Sequence, residues 1–145
     1  MPIHLRERIF LACFTCLSAC SLVSAQVLPP TELIKKGDSL WAIGQLDLAQ
    51  ETFKEAVKAD PKSVAAWMKL GGLQLSRQEF KLCIETYQHA IGLDANNTKA
   101  WLGLGFAYLH TGKDDLSMAA FNEAIRTDPS TKEKLASVMA KLGSP

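Results

Sequence analysis

Beyond its first twenty residues the chain has one cysteine, Cys83; the other three, Cys13, Cys16 and Cys20, crowd into the N-terminal stretch. A lone thiol closes no internal disulfide, and without a Cys/His cluster there is no zinc framework on which to build a fold. An excess of one charge is missing too. Lysine and arginine total 16 against 15 acidic residues, a formal net charge of +1, and no Lys/Arg block stands out. That balance lacks the electrostatic footprint of a nucleic-acid binder. Also absent are a nucleophile motif, a glycine-rich phosphate loop and a paired-acid constellation, so neither an enzyme nor a bound cofactor or metal is expected. The greasy run Ile9 to Ala19, IFLACFTCLSA, falls well short of the ~20 residues of a permanent membrane-spanning helix.

What is present begins with a leader. Met1 to Arg8 is short and polar, Arg6 and Arg8 outweigh Glu7, and the apolar run follows. This order is that of a cleavable signal peptide, and export is expected. Removing Arg6, Arg8 and Glu7 leaves 14 basic and 14 acidic residues. Two cleavage sites compete. Leu17-Ser18-Ala19-Cys20 resembles a bacterial lipobox, which implies a signal peptide of residues 1–19 and lipid on the Cys20 thiol. Residues 20–30 then form a tether ending in Pro29-Pro30, and Ser21 after the cysteine implies the periplasmic side of an outer membrane. Several acyl chains anchor firmly where one holds only marginally. Val23-Ser24-Ala25 before Gln26 resembles an ordinary small-residue site instead, which implies a leader of residues 1–25 and a soluble periplasmic or secreted product. In that reading Cys20 is an incidental apolar residue of a cysteine-rich leader.

The remaining chain is organised by a period of 34 residues. Trp101, Leu104-Gly105, Tyr108, Phe121, Ala124 and Pro129 are matched one period earlier by Trp67, Leu70-Gly71, Tyr87 and Ala90, and two periods earlier by Gly37, Phe53, Ala56 and Pro61. Three helix pairs fit it: about Thr31 to Ile43 with Asp47 to Ala59, Val64 to Ser76 with Phe80 to Leu93, and Thr98 to Thr111 with Asp114 to Thr127. Gly44 and Gly112 stop the first helix of a pair, since glycine accepts the left-handed conformation of a C-cap. Asp60-Pro61 and Asp128-Pro129 stop the second. The middle repeat has Gln78 in place of glycine and Ala95 in place of proline, so its turns are expected to be less sharply fixed. Leu135, Val138, Met139 and Leu142 form an amphipathic stripe at the end of the chain.

The W-x2-L-G-x2-Y pattern with its later small, aromatic and proline positions resembles the tetratricopeptide repeat (TPR) family. The resemblance covers residues 31–131, in repeats of about 30–63, 64–97 and 98–131. It implies an all-α, right-handed α-solenoid of three TPR helix-turn-helix pairs, with residues 132–145 as a capping helix and tail; a partner-binding helix is the alternative for that last segment. Gly37, Gly71 and Gly105 are expected to let helices approach, Phe53, Tyr87 and Phe121 to fill the space between pairs, and Trp67 and Trp101 to act as core anchors.

In that family the first helix of each pair lines the concave face, which implies columns of Ile34, Met68 and Leu102, then Asp38, Gly72 and Phe106, then Trp41, Leu75 and Leu109, with Lys99 and His110 beside them. A second apolar face exceeds what stacking requires, and an apolar strip with a polar rim is a candidate groove for an amphipathic helix or extended peptide. Ordinary core is the competing reading of the same side chains. Chaperone-binding members clamp a C-terminal carboxylate with Lys, Asn and Arg; here Lys99 stands almost alone, which disfavours such a clamp. The expected function is an exported scaffold that binds protein through its concave face, with membrane contact only through a lipid anchor. The alternative is a structural unit that self-associates or extends a larger solenoid, and an envelope enzyme is the remote third. His89 is expected on an outward face, Cys83 as a buried free thiol, and Asp114-Asp115 as carboxylates at a helix start.

Overall fold

The computed structural model describes residues 28–143. The leader, Cys20, both cleavage sites, the tether before Leu28 and the last two residues lie outside them. Among the described residues there are seven helices and no strand: α1 (Pro30–Ala42), α2 (Leu46–Ala59), α3 (Val64–Ser76), α4 (Phe80–Leu93), α5 (Thr98–His110), α6 (Asp114–Thr127) and α7 (Thr131–Leu142). Each boundary falls within about two residues of the position that the sequence punctuation sets. Pro30 opens α1, where its missing N–H costs nothing. Ser63 and Asn97 cap α3 and α5 by accepting from the N–H groups of Ala66 (3.2 Å) and Ala100 (3.1 Å).

The middle repeat departs from expectation. Its turns match those of its neighbours. Gln78 takes φ 61°, beside 79° at Gly44 and 68° at Gly112, so a residue with a side chain occupies the left-handed conformation. Between pairs the shared element is aspartate rather than proline. Asp60, Asp94 and Asp128 each accept from the backbone N–H two residues on, in Lys62, Asn96 and Ser130, at 3.0, 3.1 and 3.0 Å. This Asx hydrogen bond closes the turn with or without a proline.

Phe53 and Phe121 are fully buried and Tyr87 nearly so. Each ring lies against the glycine sixteen residues earlier, Gly37, Gly71 or Gly105, where a Cβ would meet ring atoms. Ala49, Cys83 and Ser117 form the small column beside them, all fully buried. The Ser117 hydroxyl donates to the Gly105 carbonyl at 2.9 Å, and the Cys83 thiol to the Gly71 carbonyl at 3.6 Å. Trp67 and Trp101 pack against the central core as expected, but from its edge and not fully enclosed. Both are half-buried, and their indole N–H groups donate to Pro61 O (2.9 Å) and Ala95 O (2.8 Å). They tie each first helix to the turn before it, a task that needs the indole edge near the surface.

The period continues into α7 in sequence but not in packing. The 34-residue column of Ala66 and Ala100, both fully buried, continues to Lys134, and that of Gly71 and Gly105 to Met139. An unpaired ammonium resists burial, and a methionine side chain cannot enter a slot shaped for glycine. The helix instead buries Thr131 and Leu135, leaving Val138, Met139 and Leu142 half-buried. It rests on α6. No Cα of α7 comes within 8 Å of α5, although α3 approaches α1, and α5 approaches α3, within that distance.

Candidate functional site

The first helices α1, α3 and α5 carry the candidate groove residues, and the structure divides them. Ile34 packs half-buried against the cluster of Leu33, Ala56 and Ala66. Trp41 meets Phe53 edge-on with ring centroids 6.3 Å apart, and its ring tip sits 3.5 Å from where a Cβ of Gly72 would stand. Met68 and Leu75 pack against the central core around Tyr87 and Leu104. Asp38 is already engaged, in an ion pair with Lys69 at 2.8 Å across two repeats. At these positions much of the side-chain surface serves stacking.

The open part of the face lies further along. A cavity of ≈ 790 Å3 is bounded by Lys99, Leu102 and Phe106 of α5, by Thr131, Lys134 and Leu135 of α7, and by the turns at Asp94 and Asp128. A second, of ≈ 330 Å3, lies between Leu75 and Ser76 of α3, Gln78, Phe80, Phe106 and His110. Phe106 is a wall of both. Its ring is held by Phe121, edge-on at 5.1 Å, so one concave side chain is fixed from beneath by the core and exposed above on both sides. Leu109 is half-buried and lines neither cavity.

His110 stacks on Phe80 at 4.7 Å with the rings 8° from parallel, and His89 stacks on Trp67 at 4.6 Å. Both imidazoles remain exposed. Among the described residues no group of His, Cys, Asp or Glu could hold a metal ion. Burial pushes the Cys83 thiol up to about 12, which removes the thiolate a nucleophile needs. Among the described residues no helix is long and apolar enough to cross a membrane.

Three contributors escaped sequence reasoning. Phe80 opens α4 where the other repeats place Leu46 and Asp114, so no column announces it. Lys134 and Leu135 belong to the helix expected as a cap, and in the structure they border the cavity shared with α5. The third is periodic and was legible: Leu48, Leu82 and Leu116 recur at 34-residue spacing on the second helices and stay 57%, 47% and 48% exposed.

Models of the tetratricopeptide repeat match residues 34–98 and 98–131. No curated protein sequence matches the chain. Among solved structures, the first TPR domain of Spaghetti (RPAP3), bound to the HSP90 peptide SRMEEVD, superposes with a TM-score of 0.73 at 18% identity, over 78% of this chain and 89% of that one. The crystal structure of MamA gives 0.68 at 28% identity, over 72% of this chain and 61% of that one. The type III secretion chaperone SycD of Yersinia enterocolitica, in complex with a peptide of the translocator YopD, gives 0.72 at 15% identity over 77% and 90%. At these identities the likeness is one of fold.

Proposed function

Because the chain belongs to the tetratricopeptide repeat family, we propose that it works as an exported scaffold, anchored to the cell envelope through Cys20, whose concave face binds a segment of a partner protein. A protein-interaction scaffold follows from the repeats and from structural neighbours solved with bound peptides. The observation that carries the concave-face reading is Phe106, half-exposed between two cavities while Phe121 fixes it from below; the anchor rests on the leader sequence. A surface held rigid before binding leaves most of the ordering cost to the ligand. The groove is apolar with a thin polar rim, which suits a helix or extended segment better than a bare terminal carboxylate.

The test is partner capture by the mature protein with Leu75→Glu and Leu109→Glu combined. Capture is lost while the helical circular dichroism persists; capture by a folded double mutant overturns the groove. Intact mass of the mature protein tests the anchor. An acylated Cys20 terminus supports it, and a chain starting at Gln26 replaces it with a soluble periplasmic or secreted protein.

A second reading, self-assembly, is favoured by the ladder of Leu48, Leu82 and Leu116. Three exposed leucines one repeat apart are matched in spacing by the same ladder on another copy. Sedimentation from micromolar to near-millimolar concentration decides it: association weakened by Leu82→Glu supports assembly, and a monomer throughout removes it.

A further inference from the structure

Resting on the concave-face reading and deepening it, we infer that the opening between α5 and α7 is a docking cleft for a partner segment that carries an apolar side chain next to a carboxylate. The opening lies where α7 departs from the earlier first helices: Lys134 and Met139 stand in the columns of Ala66 and Ala100 and of Gly71 and Gly105, and no Cα of α7 comes within 8 Å of α5. The resulting space, ≈ 790 Å3, is within the roughly 300–1,000 Å3 range of pockets that enclose ligands.

Its chemistry selects the occupant. Leu102, Phe106 and Leu135 give it apolar walls from both helices. Lys99 and Lys134 border it from opposite sides, and both are exposed. Among the described residues the ion pairs involve neither of them. The two carboxylates at its edge are committed to their own turns. Asp94 accepts from the Asn96 N–H at 3.1 Å and the Asn97 side-chain amide at 3.4 Å, and Asp128 accepts from the Ser130 N–H at 3.0 Å. The hydrogen bonds from Ser130, and lastly Lys134, hold the Asp128 carboxyl below its ordinary range. Asp128 therefore feels the ammonium without pairing with it. A carboxylate entering between the two lysines gains charge-assisted hydrogen bonds, while the adjacent apolar side chain covers the half-exposed Leu102 and Phe106.

Fluorescence anisotropy on the mature protein tests this with two labelled twelve-residue probes. One alternates Leu and Phe with Glu and Asp; the other has Lys at every acidic position. The acidic probe is expected to bind at least ten-fold more tightly. Lys134→Ala removes one of the two lysines, so affinity for the acidic probe falls at least ten-fold while the helical circular dichroism persists. Lys134→Glu sets a carboxylate opposite Lys99 and abolishes the preference of the unsubstituted protein for the acidic probe. Equal binding of both probes, or an unchanged preference in Lys134→Glu, overturns the cleft. Neither probe bound, with a dimer that Lys134→Glu dissociates, puts a second copy there instead. Binding that survives Lys134→Glu but is lost with Leu75→Glu and Leu109→Glu removes the cleft and leaves the groove standing. Probe binding at the cleft with partner capture indifferent to those two leucines removes the groove alone.

Discussion

The ring of Tyr87 on α4 occupies the space where a side chain at Gly103 on α5 would begin; a Cβ there meets ring carbons and the phenolic oxygen. On its other side the same ring lies 3.0 Å from the Cβ position of Gly71 on α3. Tyr87 is thus clasped by the helix of its own pair and by the first helix of the next. One period earlier, Gly103 corresponds to Lys69, which instead pairs with Asp38.

Gly103→Ala should therefore destabilise the domain by about 1–3 kcal/mol through overpacking, despite alanine's better helix propensity. The paired control is Gly92→Ala, also within a helix but with nothing near its Cβ position; it should stabilise by about 0.5–1 kcal/mol. Urea unfolding of both checks the contrast. Equal shifts would mean that Tyr87 is not held as described.

Repairing the middle repeat should raise stability. Gln78→Gly relieves a left-handed residue at φ 61°, for a gain of about 0.5–1 kcal/mol once glycine's unfolded-state entropy is set against the strain. Ala95→Pro copies Pro61 and Pro129 at a position whose N–H makes no backbone hydrogen bond, and should add about 0.4–1 kcal/mol. Thermal melts of the single and double variants measure both gains, which should add because the sites share no partner.

Cys83 makes stability sensitive to alkali. Its folded pKa is raised to about 12 from an ordinary 9.0, by burial. Burial also raises the Tyr87 hydroxyl, with Cys83 a smaller cause. For acids whose folded pKa is raised, the stabilisation is intact below the unfolded pKa and is lost as pH climbs from about 9 toward the folded value. Unfolding free energy should fall across that window. Cys83→Ser, which can copy the Ser117 bond to the neighbouring carbonyl, should make the fall shallower; an unchanged slope would clear Cys83 of the effect. Iodoacetamide at neutral pH should leave the native thiol unmodified and label it on denaturation.

Trp101→Ala should cost less than the about 3–5 kcal/mol of a fully buried aromatic, because the ring is half-exposed and its N–H serves the Ala95 carbonyl. Trp101→Phe, which loses that bond and the smaller ring of the indole, should cost less than Trp101→Ala and at least about 1 kcal/mol. Chemical denaturation distinguishes the two contributions.

The amino-acid sequence by itself determined the helices, their pairing and their register. Those rest on local chemistry repeated every 34 residues: turns at Gly44 and Gly112, prolines after Asp60 and Asp128, and a glycine opposite each aromatic. The tetratricopeptide repeat family was legible for the same reason. Tertiary structure alone decided that Gln78 is forced into a glycine's conformation, that Trp67 and Trp101 fasten turns, and that the candidate groove splits into stacking surface at α1 and open surface at α5. It also decided the stand-off of α7. A lysine in the alanine column is visible in the letters, but whether the helix rotates, buries the lysine or leaves a gap depends on the faces it meets. Periodicity fixes which residues are equivalent; only packing fixes which of the equivalents remain open to a partner.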